Sequence, residues 1–238
     1  MSKLAVIVGV GPGLGASLAR KFASQNLSVA MLARNQDFLT QLQSDITKQG
    51  GNAASFQCDI TSPESVKNAF EQIEQKYGSS AAWEVGIYNA GGFSRESILE
   101  IDPEKFTNVW KVNCLGALLF SQQLIPRMLK NNKGTLLFTG ATASLRGSAK
   151  FATLSTGKFG LRALVQSLAR EFQPQGIHIS HVIVDGIIRS DRTKSMTNLE
   201  DGKMLNPDKI AETYFHLYQQ DKSVWTHELD IRPSSEIF

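Results

Sequence analysis

Leu4-Ala5-Val6-Ile7-Val8-Gly9-Val10-Gly11-Pro12-Gly13-Leu14-Gly15 decides how this chain folds. The apolar run Leu4–Gly9 is short and β-branched, which reads as a buried strand. The glycines that follow allow a tight turn, and apolar residues then recur at helical spacing from Leu14 to Gln25. A strand that turns through glycine into a helix presents unpaired backbone amides at the helix N-terminus. A pyrophosphate can approach amides placed that way.

Outward from this junction the same alternation repeats. Apolar runs at Ser28–Ala33, Ala53–Cys58, Trp83–Tyr88, Gly134–Thr139, His178–Val184 and near Val224–Ile231 read as six further strands. Helical spacing covers Gln36–Gln49, Pro63–Tyr77, Pro103–Leu129, Phe151–Phe172 and Pro207–Gln219, several of them preceded by Asp, Ser or Asn as a start signal. Continuous apolar strands alternating with helices are the pattern of a parallel sheet covered on both faces. The expectation is an α/β fold: one doubly wound, seven-stranded parallel sheet of the Rossmann type, in a single domain over residues 1–238. Ser190–Leu205 is polar, contains Gly202 and lacks periodicity, so it reads as a loop or short helices covering the site beyond the sixth strand.

Bulk composition narrows the function classes. The 238 residues are 42% hydrophobic, enough for one substantial core. With 25 basic and 22 acidic residues the formal charge is +3 without a long run of one sign, which argues neither for nucleic acid nor for a membrane surface. Cys58 and Cys114 lack metal-type spacing and read as reduced core thiols. The start Met1-Ser2-Lys3-Leu4 runs into the first strand without the regions of a signal peptide, so a cytoplasmic location is expected. Ser2-Lys3-Leu4 spells a peroxisomal address at the wrong end, while the chain ends Glu236-Ile237-Phe238, and the match is read as chance.

The second strand ends in Arg34, near the position where an NAD-preferring site places a carboxylate on the ribose 2′-hydroxyl. A guanidinium there pairs with a 2′-phosphate, so NADP(H) is favoured. Asp37, three residues on, reads as a carboxylate facing the next helix dipole, and it keeps NAD(H) open.

Taken together, Gly9-x-x-x-Gly13-x-Gly15, Cys58-Asp59-Ile60, Asn89-Ala90-Gly91, Asn113 and Lys158 resemble the short-chain dehydrogenase/reductase family over essentially the whole chain. The resemblance implies a cofactor site built from Gly9, Gly11, Pro12, Gly13, Leu14, Gly15, Arg34, Asp59, Ile60, Asn89, Ala90, Gly91, Lys158, Ile188 and Ser190. Asp59 would meet adenine, or would merely cap the turn before Thr61-Ser62-Pro63. Asn89-Ala90-Gly91 would support the sheet beside the cofactor, Lys158 would bind the ribose, and Ser190 with the Ile188 amide would meet the nicotinamide carboxamide. The family's reaction is a proton relay in which a tyrosine acts on the substrate oxygen. A lysine four residues later lowers that tyrosine's pKa, a serine orients the carbonyl, and an asparagine anchors a water.

Here the pattern departs from the family. Four residues before Lys158 stands Leu154, which cannot carry out acid–base chemistry, and the serine position falls on Ala141. The expected catalytic set is therefore Asn113 and Lys158, with Ser144 or Thr142 as nearby hydroxyls. Tyr218, four residues before Lys222, repeats the spacing in the wrong helix, and Tyr88 reads as core. Asp185 stands where the family has proline, with a structural role set against one in proton transfer. Two functions fit these residues: an NADP(H)-dependent oxidoreductase of a small carbonyl or alcohol substrate with an atypical centre, or an NADP(H)-binding pseudo-enzyme acting as sensor or assembly partner. The resemblance also implies a homodimer or homotetramer joined through Pro103–Leu129 and Phe151–Phe172.

Overall fold

The computed structural model describes residues 3–78, 80–198 and 200–236. Met1, Ser2, Ile237 and Phe238, on which the reading of terminal addresses falls, lie outside the described residues, as does Leu199 of the covering loop. Strands β1 (Lys3–Val8), β2 (Ser28–Ala33), β3 (Asn52–Gln57), β4 (Ala82–Tyr88), β5 (Gly134–Thr139), β6 (Ile177–Val184) and β7 (Glu228–Ile231) form one sheet in the order β3-β2-β1-β4-β5-β6-β7. Every pairing is parallel. The helices are α1 (Leu14–Ser24), α2 (Gln36–Lys48), α3 (Pro63–Tyr77), α4 (Pro103–Trp110), α5 (Gly116–Leu129), α6 (Ala152–Phe172), α7 (Asp191–Met196) and α8 (Pro207–Gln219).

Strand alternation sorts the core into two layers. Leu4, Val6 and Val8 of β1 face Phe70 of α3, Phe120 of α5 and Leu161 of α6, whereas Ala5 and Ile7 face Phe22 of α1, Leu39 of α2 and Tyr214 of α8. Helices begin where short polar side chains cap them: Asn35, Ser62, Asp102 and Asn206 each accept a backbone N–H of the first turn. Because β2 and β4 lie on opposite sides of β1, the loops leaving β1 and β4 separate and open a cleft at their C-terminal ends.

The helix read as Pro103–Leu129 is interrupted. Lys111–Leu115 widens into a π turn between α4 and α5, with Asn113 inside it. The cause lies in the sheet below: the Tyr88 hydroxyl donates to the Val112 carbonyl. Gly116 makes room for that phenol, since a Cβ there would come within 2.4 Å of its oxygen.

The last strand is also shorter than Val224–Ile231. Asp221 accepts the Ser223 N–H at 2.9 Å and closes a one-turn helix at Lys222–Val224. Trp225 then leaves the sheet direction to stack on His178, with ring centroids 5.0 Å apart. In the 190–205 stretch, α7 starts on a reciprocal Ser190–Thr193 cap, and an Ile188–Leu205 bridge pins the segment to the strand ends. Among the described residues, no helix is long and apolar enough to cross a membrane.

The fully buried Tyr88 phenol donates to the half-buried Val112 carbonyl, so Tyr88→Phe takes that donor away from the π turn. A loss of about 1–3 kcal/mol is expected. In urea denaturation this appears as a lower midpoint at unchanged slope.

Candidate functional site

The glycine turn after β1 is held by the sheet on one side and open on the other. Gly9 adopts φ +80° against the β4 end, where a Cβ would sit 2.4 Å from the Ala90 nitrogen. Gly13, at φ +104°, heads α1 with neither a side-chain cap nor an acid in the first turn. Around Gly11 the space is open: an added Cβ would meet nothing within 4 Å. Gly15 packs on the Gly9 carbonyl, Leu14 is buried and Pro12 is exposed. An uncapped helix N-terminus above an open turn fits a bound anion. Ser190 lies against this turn, its Cβ 3.6 Å from where one on Gly13 would be. Its hydroxyl is engaged in the α7 cap, accepting from the Thr193 N–H at 3.2 Å, and Thr193 in turn donates to the Ile188 carbonyl at 2.7 Å.

A chain of side chains ties the turn to three other elements. Tyr214 of α8 donates to Thr139 of β5 (2.8 Å), Thr139 donates to Asn89 Oδ1 (3.2 Å), and Asn89 Nδ2 donates to the Gly9 carbonyl (3.1 Å). Sequence reasoning missed Tyr214, because nothing in the periodicity of α8 marks which buried residue needs a polar partner.

Arg34 is exposed beyond β2, and its carbonyl accepts from Gln57. Asp59, beyond β3, accepts from the Thr61 N–H and hydroxyl at 2.9 and 2.7 Å. Those two bonds, with a smaller contribution from the Arg34 charge, hold its carboxyl below the usual range. Asp59 thus caps its own turn beyond β3, while Ile60 beside it is buried. Asp37 sits in the first turn of α2.

Lys158 is the chemical centre of the cleft. Its ammonium is buried, donates to the Thr139 carbonyl at 2.8 Å, and has no carboxylate partner among the described residues. Burial pushes it down to about 8. Two of its three N–H bonds are left for a ligand beside Gly91, where an added Cβ would come 3.8 Å from Nζ. That is the donor pattern that ribose hydroxyls would complete. Asn113 is fully buried one helix away, giving both amide hydrogens to the Gly92 and Val109 carbonyls (2.9 and 3.1 Å) and accepting the Gly92 N–H (3.3 Å). The asparagine therefore clamps the loop after β4 to the π turn.

The hydroxyls near Ala141 and Leu154 are already engaged or enclosed. Ser144 is fully buried and accepts the Ala141 N–H at 3.2 Å. Thr142 donates to Asp185, which is buried and paired with Arg232 at 3.3 Å. This makes Asp185 a brace between the strand ends and the C-terminal segment. Tyr88 is occupied by the π turn, and Tyr218 packs on Phe22 and Phe215 and donates to Glu84, away from Lys158. Both cysteines are free, and burial raises the Cys58 thiol to about 11.

On the far side of the Thr139–Gly140 peptide lies His181, also missed from sequence although a histidine inside the apolar run of β6 is a visible signal. Its Nδ1 meets Glu228 at 3.0 Å, and Glu228 takes both forks of Arg162 at 2.7 Å. Nε2 is buried without a partner and fills the space that a Gly140 Cβ would need. Burial lowers His181 from 6.5 to about 4, with Glu228 opposing the shift and Lys158 and Arg162 adding to it. As pH falls through 6.5 the unfolded chain binds this proton while the folded chain does not, so stability drops between pH 6.5 and 4. In His181→Gln the slope of unfolding free energy against pH in that window should fall by up to about 1.4 kcal/mol per pH unit. An unchanged slope would show that His181 protonates freely in the fold.

A family model described as short chain dehydrogenase matches residues 3–201. Among curated proteins, the chain is 27% identical over 197 residues to a 3-oxoacyl-[acyl-carrier-protein] reductase of Bos taurus, covering 82% of this chain and 80% of the relative. It is 26% identical over 227 residues to carbonyl reductase family member 4 of Danio rerio, covering 92% of each. Among solved structures, a short-chain dehydrogenase from Rhodopseudomonas palustris superimposes with a TM-score of 0.84 at 34% identity, covering 97% of this chain and 98% of that one. An alcohol dehydrogenase from Thermococcus sibiricus, complexed with 5-hydroxy-NADP, gives 0.89 at 25% identity over 100% and 99%. The match along 3–201 joins the glycine turn, the Asn89 loop, Asn113 and Lys158 in one pattern, and the chain belongs to the short-chain dehydrogenase family.

Proposed function

We propose that this protein binds NADP(H) and works as an oxidoreductase on a carbonyl or alcohol substrate, with a centre that lacks the family's tyrosine and serine. The observation that carries the reading is Lys158: a buried ammonium with one acceptor and no acid among the described residues, set beside an open glycine turn and an uncapped helix. Burying a charge in that state is costly, and a ligand supplying hydroxyls and phosphate would complete it. The dinucleotide, when bound, supplies the hydride. Arg34, exposed at the end of β2, would pair with a 2′-phosphate, and the NADP derivative bound by the Thermococcus relative is in keeping with this.

Substrate positioning and proton supply fall to the protein. Leu154 and Ala141 give the substrate oxygen no ionisable group, Ser144 is enclosed and Thr142 is committed to Asp185. The proton then comes from water or from the substrate itself. The same two positions favour a second reading, an NADP(H)-binding protein without turnover. Trp110, Leu118 and Phe159, each more than a third exposed on α4, α5 and α6, support a homo-oligomer built on those helices.

Titration with NADPH and NADH, followed by a carbonyl-reduction screen of the wild type and Leu154→Tyr, tests both readings. NADPH is expected to bind at least about tenfold tighter than NADH, with the preference lost in Arg34→Ala. Restoring the phenol is expected to raise carbonyl reduction about 10²-fold or more. Binding without turnover in either protein selects the second reading, and absence of binding to both nucleotides overturns both.

A further inference from the structure

The loops that leave β4 and β5 meet just before the start of α6. The Glu96 N–H donates to the Lys150 carbonyl at 2.9 Å, which joins them. Phe93 is 63% exposed and stands edge-on to Phe151, with ring centroids 6.0 Å apart, and the Arg95 guanidinium lies over the Phe151 ring at 5.7 Å. Phe151 precedes Leu154 by three residues at the start of α6, so the aromatic ledge continues onto the half-buried leucine that replaces the phenol.

The unpaired charges around this ledge are cations. Arg95, Arg146 and Lys150 are exposed, and none has a carboxylate partner among the described residues. The acid between them in the fold, Glu96, is neutralised by Lys105 and also accepts from Ser94 at 3.1 Å. A guanidinium laid on a ring keeps its N–H edge available for a carboxylate. Exposed aromatic surface beside an unpaired guanidinium matches a ligand that has a flat apolar body and a negative end.

We propose that the substrate of this site is an anion: a carbonyl compound with a flat, preferably aromatic body whose carboxylate is held by Arg95. The ledge receives the body, and the carbonyl end points past Leu154 toward Lys158. This rests on the reading of the cleft as a carbonyl-reducing centre, but the selection of the anionic end is a matter of binding and can be measured separately.

The probes are 4-formylbenzoate and its neutral counterpart 4-methylbenzaldehyde, titrated into the NADPH-loaded protein and followed by calorimetry and by NADPH absorbance. The carboxylate is expected to bind about tenfold or more tighter than the neutral aldehyde, with the ratio shrinking as salt rises. In Arg95→Gln the ratio should collapse toward one, with NADPH affinity serving as the control for an intact fold. Carboxylate selectivity that depends on Arg95 but comes without NADPH oxidation supports this inference and counts against the reductase reading. Equal binding of the two aldehydes in the wild type, or selectivity that survives in Arg95→Gln, overturns the inference.

Discussion

The site depends on one constraint: the Lys158 ammonium is buried with no carboxylate among the described residues to balance it. It donates to the Thr139 carbonyl at the end of β5. One residue before Lys158, Gly157 lets α6 lie close against the π turn, since a Cβ there would come within 2.8 Å of the Asn113 Cβ. Asn113 in turn is placed by the π turn, and the π turn by the phenol of Tyr88. The drop of Lys158 from 10.5 to about 8 corresponds to roughly 3 kcal/mol of desolvation. The sheet and its two apolar layers carry that cost, and a packed interior has no use of its own for such a group.

Around this retained lysine, the polar groups of the cleft have become structural. Thr142, Asp185 and Arg232 brace the strand ends to the C-terminal segment, and Ser144 closes the turn that carries Ala141. His181, Glu228 and Arg162 form a second ionic brace under Gly140. The result is a rigid frame for a cofactor with little provision for proton transfer at Leu154. Rigid positioning of donor and acceptor is itself a source of rate, so on the proposed reading a centre without the acid would be slowed and not emptied of function.

Much of this was legible in the sequence because it is local. Strand and helix periods, the glycine turn and the caps at Asn35, Ser62, Asp102 and Asn206 are set by neighbours a few residues apart, and the sheet follows from them. The π turn was not legible: Pro103–Leu129 carries no breaker where the turn widens, and its cause, Tyr88, lies 24 residues away. The His181–Glu228 hydrogen bond and the Asp185–Arg232 ion pair join positions 47 apart in both cases, which a one-dimensional pattern does not reveal. Leu154 and Ala141 stand out only against the resemblance, in which the Lys158 spacing fixes where a tyrosine and a serine would stand. What the remaining hydroxyls do instead required the geometry.

The most direct measurement is a paired one on Lys158→Met: thermal unfolding of the apoprotein, and NADPH affinity. If the ammonium is held at a cost for the sake of the cofactor, the variant melts a few degrees higher than the wild type and binds NADPH at least about tenfold more weakly. A variant that melts lower while keeping its NADPH affinity would contradict the account, making Lys158 a structural residue and the cleft something other than a dinucleotide site.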